Sequence, residues 1–303
     1  MKISIKTRIS IVVVILFWGS AFVGIRAGLQ GYSPGGLALL RFLIASLTLL
    51  IIYCVRGNYK PIQRQDLLSI FMIGFIGIGC YNISLNYGEL SVPSGMSCFI
   101  VSQSPIITAL IAIFFLKERI TLFNILGMLI SMIGVAMICI NGANELKFYL
   151  SIFFVLIATV ISGLYSVFQK KLLQKYNALD LTAYVIWSGT LSLLIFTPNL
   201  INDLNHTTIK ATIAVIYLGI CPGALAYLIW SYILNEIPAS RAVTFLYVSP
   251  LMATFIGWLW LAEVPHFFAF MGGLIALLGV WLVNQSYHRP LPLLINNKMR
   301  ENI

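Results

Sequence analysis

Residues 104–118 read SPIITALIAIFFLKE, and residues 249–263 read SPLMATFIGWLWLAE. Each is an apolar segment opened by Ser-Pro and closed by Glu, and the second begins 145 positions after the first. At that one ungapped offset Gly74 falls on Gly219, Tyr87 on Tyr232, Pro93 on Pro238, Gly127 on Gly272 and Gly134 on Gly279. Biased composition makes Leu and Ile coincidences cheap, but shared Pro, Glu and paired Gly are not. The chain therefore reads as a tandem duplication, with one copy over residues 1–141, the other over 148–286, and a basic tail over 287–303.

The solvent for this duplicated unit follows from composition. Of 303 residues 60% are hydrophobic and only 9% charged, and the mean hydropathy is +0.96. That leaves too little polar surface for a water-soluble domain of this size. Apolar runs of about 18–24 residues suit helices crossing a ~30 Å hydrocarbon core, whereas barrel strands run to about ten residues of alternating polarity. Spans are expected near 9–28, 35–54, 67–86, 93–116, 121–140, 149–168, 180–198, 209–232, 238–261 and 266–285. The fold class is thus all-α integral membrane: ten transmembrane helices as two five-helix repeats. Because five is odd, the second repeat enters from the opposite side, the inverted plan of many secondary transporters.

Charge sets the expected orientation. Lys2, Lys6, Arg8, Arg56, Lys60, Arg64, Lys117, Arg119, Lys170, Lys171, Lys175, Arg241, Arg289, Lys298 and Arg300 fall on the side of the N-terminus; Arg26, Arg41, Lys147 and Lys210 do not. This bias is expected to place both termini on the cytoplasmic side, and it accounts for the net charge of +10 without nucleic acid. The start, MKISIKTRIS before IVVVILFWGSAF, has the charge order of a signal peptide, but its long apolar run reads as an uncleaved first span. Cys54, Cys80, Cys98, Cys139 and Cys221 show no CxxC spacing, and His206, His266 and His288 are scattered near span ends. Neither a disulfide frame nor a metal site is expected, and no cofactor. Joints such as QGYSPGG, LSVPSG and NEIPAS are too short for a soluble domain, so any function resides inside the bundle.

Within the bundle, Pro105 lies twelve residues after Pro93, ~18 Å into its span and close to mid-membrane. Pro250 has the same depth in the ninth span. Prolines there are expected to kink both helices and free the carbonyls of Val101 and Leu246, which is tolerable only against protein or a wet cavity. Glu118 and Glu263 fall at opposite membrane edges, where each is expected to close one helix and cap the next, the fifth and tenth spans. Gly127 with Gly134, and Gly272 with Gly279, lie seven apart and permit close helix contact.

The WGSAF of span one, Arg41-Phe42 followed by Ala45, the proline-bearing fourth and ninth spans, and E-x-x-x-x-x-x-x-LGMLISMIGV from Glu118, repeated as LAEVPHFFAFMGGLIALLGVWLV, together resemble the EamA family of the drug/metabolite transporter superfamily over nearly the whole chain. The resemblance implies a ten-helix permease of the bacterial inner membrane that moves small organic metabolites, commonly outward, without ATP hydrolysis. Expected partners are a small-molecule substrate and the lipid bilayer, with the chain a monomer or homodimer.

Arg41 is the one charge well inside a predicted span, and such a charge marks a site because burial without a partner is costly. Around it Trp18, Tyr81, Asn82, Gln103, Ser104, Tyr165, Tyr227, Trp230 and Tyr247 are expected to face the centre and suit an amphipathic, amino-acid-like cargo. Import or exchange of a larger cofactor or nucleotide-like metabolite, multidrug efflux, and a non-transporting receptor or scaffold are the alternatives. No HExxH, Ser–His pair or carboxylate cluster supports an enzyme. Every Asp and Glu falls in a loop or near a span end, so coupling is left either to an edge carboxylate such as Glu89 or Glu118 or to none.

Overall fold

The computed structural model describes residues 4–57, 62–104, 106–107, 122–140, 146–237, 242, 245–264 and 267–287, and among these every regular element is a helix. We label them α1 (Ile5–Gly28), α2 (Pro34–Arg56), α3 (Arg64–Gly88), α4 (Ser94–Val101), α5 (Leu122–Ile140), α6 (Leu146–Leu172), α7 (Ala178–His206), α8 (Ile209–Glu236), α9 (Leu246–Leu261) and α10 (Phe267–Tyr287). Six of them, α1–α3 and α6–α8, are long and apolar enough to cross a membrane. α7 continues past the expected end at 198 as far as His206, interrupted by a 3-10 turn at Leu194–Phe196 just before Pro198.

Local chemistry sets the helix ends. Ser4 Oγ accepts the Thr7 N–H at 3.1 Å to start α1. α2 starts with Ser33 Oγ on the Gly36 N–H at 3.2 Å and Pro34 in its first turn, and stops at Gly57, whose φ of +66° suits a residue without Cβ. Asn177 and Thr208 cap α7 and α8 in the same way.

The surface is apolar, and the largely apolar interior also holds polar and charged side chains, unlike a soluble domain. Leu47, Trp260 and Trp281 are more than half exposed, whereas Arg41, Asn82, Asn86, Gln169 and Asp180 are buried. Lipid supplies the solvent that explains both. Polar contacts then gather at two ends. At the first, Arg56 donates to Asn177, the Gln63 N–H to Tyr176, and Lys175 pairs with Asp66 at 3.2 Å. At the second, Asp203 accepts from Ser33 N–H at 2.9 Å and Oγ at 2.6 Å, Tyr32 meets Thr212 at 2.9 Å, and Asn86 donates to the Pro34 carbonyl at 2.9 Å.

Irregularities recur at the 145-residue offset. α3 contains a π-helical turn at Phe75–Cys80 and α8 one at Gly219–Leu225. α4 ends in a turn at Ser102–Gln103, and α9 opens with a 3-10 turn at Leu246–Val248. α5 and α10 pack closely, and the Ser131 hydroxyl donates at 3.1 Å to the carbonyl of Ala276, its own counterpart at the 145-residue offset.

Two expectations are corrected. Pro250 does not free the Leu246 carbonyl: it sits in the first turn after the 3-10 segment, where no N–H is needed, and the Ser249 N–H bonds Leu246 O. Among the described residues, Glu263 is placed on α4 rather than on the tenth span. Its Oε2 accepts the Ser94 N–H at 3.0 Å and the Ser94 hydroxyl at 2.7 Å, capping α4 of the other half, while Oε1 pairs with Arg26 Nε at 3.2 Å. The reason is that the α9–α10 joint folds over the start of α4, with Ala262 in the left-handed region at φ 54°. Pro105 and Glu118 lie outside the described residues.

Candidate substrate cavity

A cavity lies between the two halves. The space that the centre of a water-sized sphere can reach is about 100 Å³, against roughly 10–15 Å³ for one water on that measure. α1 contributes Trp18, Phe22 and Ile25; α2 contributes Arg41; α3 contributes Gly77, Tyr81 and Leu85. Cys98, Val101, Ser102 and Ser104 come from α4 and its following turn, Ser162, Tyr165 and Ser166 from α6, Tyr227 and Trp230 from α8, and Leu246, Tyr247 and Ser249 from α9.

One wall is an aromatic stack. Trp18 meets Tyr227 edge-on at 5.5 Å between centroids and lies 5.2 Å from Trp230, and Tyr165 meets Tyr227 at 6.0 Å and 88°. Such tilted and edge-to-face pairs are the arrangements that ring quadrupoles favour. The π turn of α8 helps to orient this wall, because its Pro222 carbonyl accepts the Trp18 indole N–H at 3.4 Å.

Charge adjoins this stack, for Phe42, next to Arg41 in the chain, meets Tyr227 at 6.4 Å. Arg41 is 3% exposed, and one of its terminal nitrogens donates to Asn82 Oδ1 at 2.9 Å. Asn82 is itself fixed, since its Nδ2 donates to the Ile78 carbonyl at 2.8 Å in the π turn of α3. The guanidinium also lies 5.2 Å from the centroid of Phe42. Three buried polar atoms on the cavity wall have no hydrogen-bond partner: Arg41 Nε, the Tyr165 hydroxyl and Ser249 Oγ. Buried polar atoms are almost always satisfied, so a cluster of exceptions round one cavity is where a solute or ordered water belongs.

Of the residues expected at the centre, Trp18, Arg41, Tyr81, Ser104, Tyr165, Tyr227, Trp230 and Tyr247 line the cavity. Asn82 stands behind Arg41 and orients it. Gln103 is placed elsewhere: it donates to the Phe99 carbonyl at 3.1 Å and accepts from Ser131, so it ties α4 to α5. Gly77, Cys98, Ser162, Ser166 and Ser249 belong to the wall and were not anticipated. Ser162 and Ser166 carried the one available signal, small polar residues four apart flanking Tyr165 on an apolar helix.

A bundle that is helical throughout its described residues, apolar outside, with matching halves round a mixed polar and aromatic cavity, has the plan of a membrane carrier. The chain belongs to the EamA-like transporter family, which matches it twice, over residues 6–140 and 149–285, and so to the drug/metabolite transporter superfamily. It is 36% identical over 280 residues to the uncharacterized transporter YdfC of Bacillus subtilis, covering 92% of this chain and 91% of that one. It is 34% identical over 285 residues to a probable terminal-alkyne amino-acid exporter of Streptantibioticus cattleyicolor, covering 94% and 95%. A solved crystal structure superposes with a TM-score of 0.66 at 16% identity, over 93% of this chain and 99% of its own, a likeness of fold alone.

Proposed function

We propose that this protein is a secondary carrier that exports amino-acid-like amphipathic solutes. The observation that carries the reading is the Arg41 guanidinium, buried with Nε unpaired in the wall of a cavity that it shares with the aromatic stack. A carboxylate is the group that completes such a cation, because a charge-assisted hydrogen bond is about twice as strong as a neutral one. The aromatic wall then takes the side chain. The same buried positive charge disfavours cationic drugs, and a cavity of about 100 Å³ favours a small solute over a nucleotide. The name of the exporter from Streptantibioticus cattleyicolor supports an amino acid and the outward direction.

The architecture that serves this reading is ten spans in two inverted repeats, over 1–141 and 148–286, with a tail over 287–303. Lys6, Arg8, Arg56, Arg64, Lys170, Lys171 and Lys175 stand at or near the first polar end, against Arg26, Lys147 and Lys210 at the second. We therefore assign the first end to the cytoplasm of a bacterial inner membrane.

The test is thermal shift of the purified protein with L-propargylglycine, L-leucine, L-phenylalanine, ATP and tetraphenylphosphonium, followed by efflux of any stabilising solute from proteoliposomes. Stabilisation and efflux confined to the amino acids is the expected result. Stabilisation by ATP or the cation alone overturns it. A narrower expectation concerns Gly77. A Cβ there meets the Tyr165 ring, with Cγ and Cε2 at 3.0 Å, and the ring has the cavity to move into. Overpacking of ~1–3 kcal/mol should appear as at least about tenfold weaker binding of the stabilising amino acid by Gly77→Ala. Unchanged affinity removes Tyr165 from the binding wall.

A further inference from the structure

Glu89 occupies the joint between α3 and α4, outside both helices, and is 0% exposed. Neither of its carboxylate oxygens has a hydrogen-bond partner. Two cations are near, and the hydrogen bonds that each makes go elsewhere. Arg26 gives Nε to Glu263 and Nη1 to the backbone carbonyls of Glu89 and Leu90, while Arg41 donates to Asn82. The Arg26–Glu263 pair is partly exposed, with side chains 30% and 19% accessible, so it forms the outer layer of this end. Leu85, one helical turn before Glu89, lines the cavity. Glu89 thus lies between the outer ion pair and the cavity, in the layer that separates the two.

We propose that Glu89 is a proton-binding site whose charge governs this end of the carrier: neutral while the end is closed, as in this structure, and ionised when the end opens and water reaches it. An ionised carboxylate that is buried and unpaired is far costlier than a neutral one. The charged and titratable groups that face it are Arg26 from α1, Arg41 from α2, Tyr81 from α3, Cys98 from α4 and Glu263 from the α9–α10 joint. Burial and then the Glu263 carboxylate raise the Glu89 pKa well above its ordinary 4.5, and Arg26 and Arg41 oppose the rise without cancelling it.

The sign of the pH effect follows. Hydrated Glu89 has an ordinary carboxylate pKa and the closed form a higher one, so between these values closing takes up one proton from water and opening returns it. Acid favours the closed end, and rising pH favours opening. On the export reading given above, on which this consequence rests, external acid promotes closure of the emptied carrier, a step repeated in every cycle. Position 234, one offset from Glu89, is Leu, so the second half has no carboxylate at the equivalent place.

Infrared spectroscopy of the purified protein in D₂O tests the site without any cargo. The parent at pH 7 should show a protonated-carboxyl stretch that is absent from Glu89→Gln and restored in Glu89→Asp. Hydrogen exchange over residues 86–97, corrected for intrinsic rate, should be at least about tenfold faster at pH 9 than at pH 6 in the parent and equally slow at both in Glu89→Gln. A parent without the band, a band that survives Glu89→Gln, or exchange in Glu89→Gln with the parent's pH dependence each overturns the proposal. If no amino acid is bound or moved while the band and exchange behave as expected, the cargo reading fails and the proton site stands.

Discussion

Arg41→Ala should lower efflux of the best-stabilising amino acid by about 10- to 100-fold while leaving its carboxamide close to the parental rate. The lost interaction is a hydrogen bond to a charged group, worth ~1.5–3 kcal/mol, and each ~1.4 kcal/mol is a factor of ten. The carboxamide keeps the same side chain for the aromatic wall of Trp18, Tyr165 and Tyr227 and lacks only the negative charge. The parent should therefore discriminate acid from amide and the variant should not. Stability works in both directions. Alanine leaves Asn82 Oδ1 without the partner it has at 2.9 Å, and it also removes a desolvated cation from a site 3% exposed. Membrane abundance is accordingly expected to stay near that of the parent. Arg41→Lys separates charge from geometry: one ammonium cannot reproduce the planar fork that reaches Asn82 and still presents Nε to the cavity. Its discrimination should fall between the two. An unchanged acid-to-amide ratio in Arg41→Ala removes Arg41 from the site.

How far this site was legible in the sequence depends on the range of the interaction. Arg41 stood out because a charge within an apolar run is conspicuous, and deep aromatics such as Trp18, Tyr165 and Tyr227 followed from the same logic. What could not be read was set by long-range packing. Gln103 and Ser104 are adjacent, and only the turn at Ser102–Gln103 sends the first towards Ser131 while the second lines the cavity. The π turns at Phe75–Cys80 and Gly219–Leu225 share no proline, since Pro222 corresponds to Gly77. Glu263 looked local because caps usually are, yet its partner Ser94 is 169 positions away. Glu89 looked like a loop carboxylate until the surrounding helix ends closed over it.

The matching halves also explain how the ends are tied. Arg26, in the last turn of α1, donates to the carbonyls of Glu89 and Leu90 at the end of α3. Lys170, in the last turn of α6, donates to those of Leu234 and Ile237 at the end of α8. In each half a cation from the first helix satisfies the orphan carbonyls that end the third. Both caps make that helix pair a unit, so motion at either end is expected to carry the pair together.

The largest expected loss of stability comes from one methyl group far from the cavity. A Cβ at Gly134 of α5 would meet the backbone of α10, at 2.5 Å from the Gly272 carbonyl oxygen and 2.7 Å from Ala276 Cα. At Gly279 of α10 it would meet the backbone of α5, at 2.5 Å from the Gly127 oxygen and 2.8 Å from Ser131 Cα. Backbone has no rotamer to yield, so the helices themselves must separate, and with them the Ser131–Ala276 hydrogen bond at 3.1 Å. Without a hydrophobic force between helices in lipid, close packing supplies much of the association. Gly134→Ala is therefore expected to cost ~2–3 kcal/mol, the upper part of the overpacking range, despite the better helix propensity of alanine. Gly79→Ala is the matched comparison, because its Cβ meets chiefly the Ser192 hydroxyl at 2.6 Å, a side-chain group that can turn away at the cost of its one bond to the Gly189 carbonyl. Its thermal midpoint should stay within about a degree of the parent, an effect of ~0.5 kcal/mol or less, while that of Gly134→Ala falls by several degrees. Neither α5 nor α10 lines the cavity among the described residues, so the increment in midpoint that a bound amino acid adds should be the same in Gly134→Ala as in the parent. Equal midpoints for the two glycine variants would show that α5 and α10 are not held by this contact, and a lost ligand increment would show that their packing reaches the cavity.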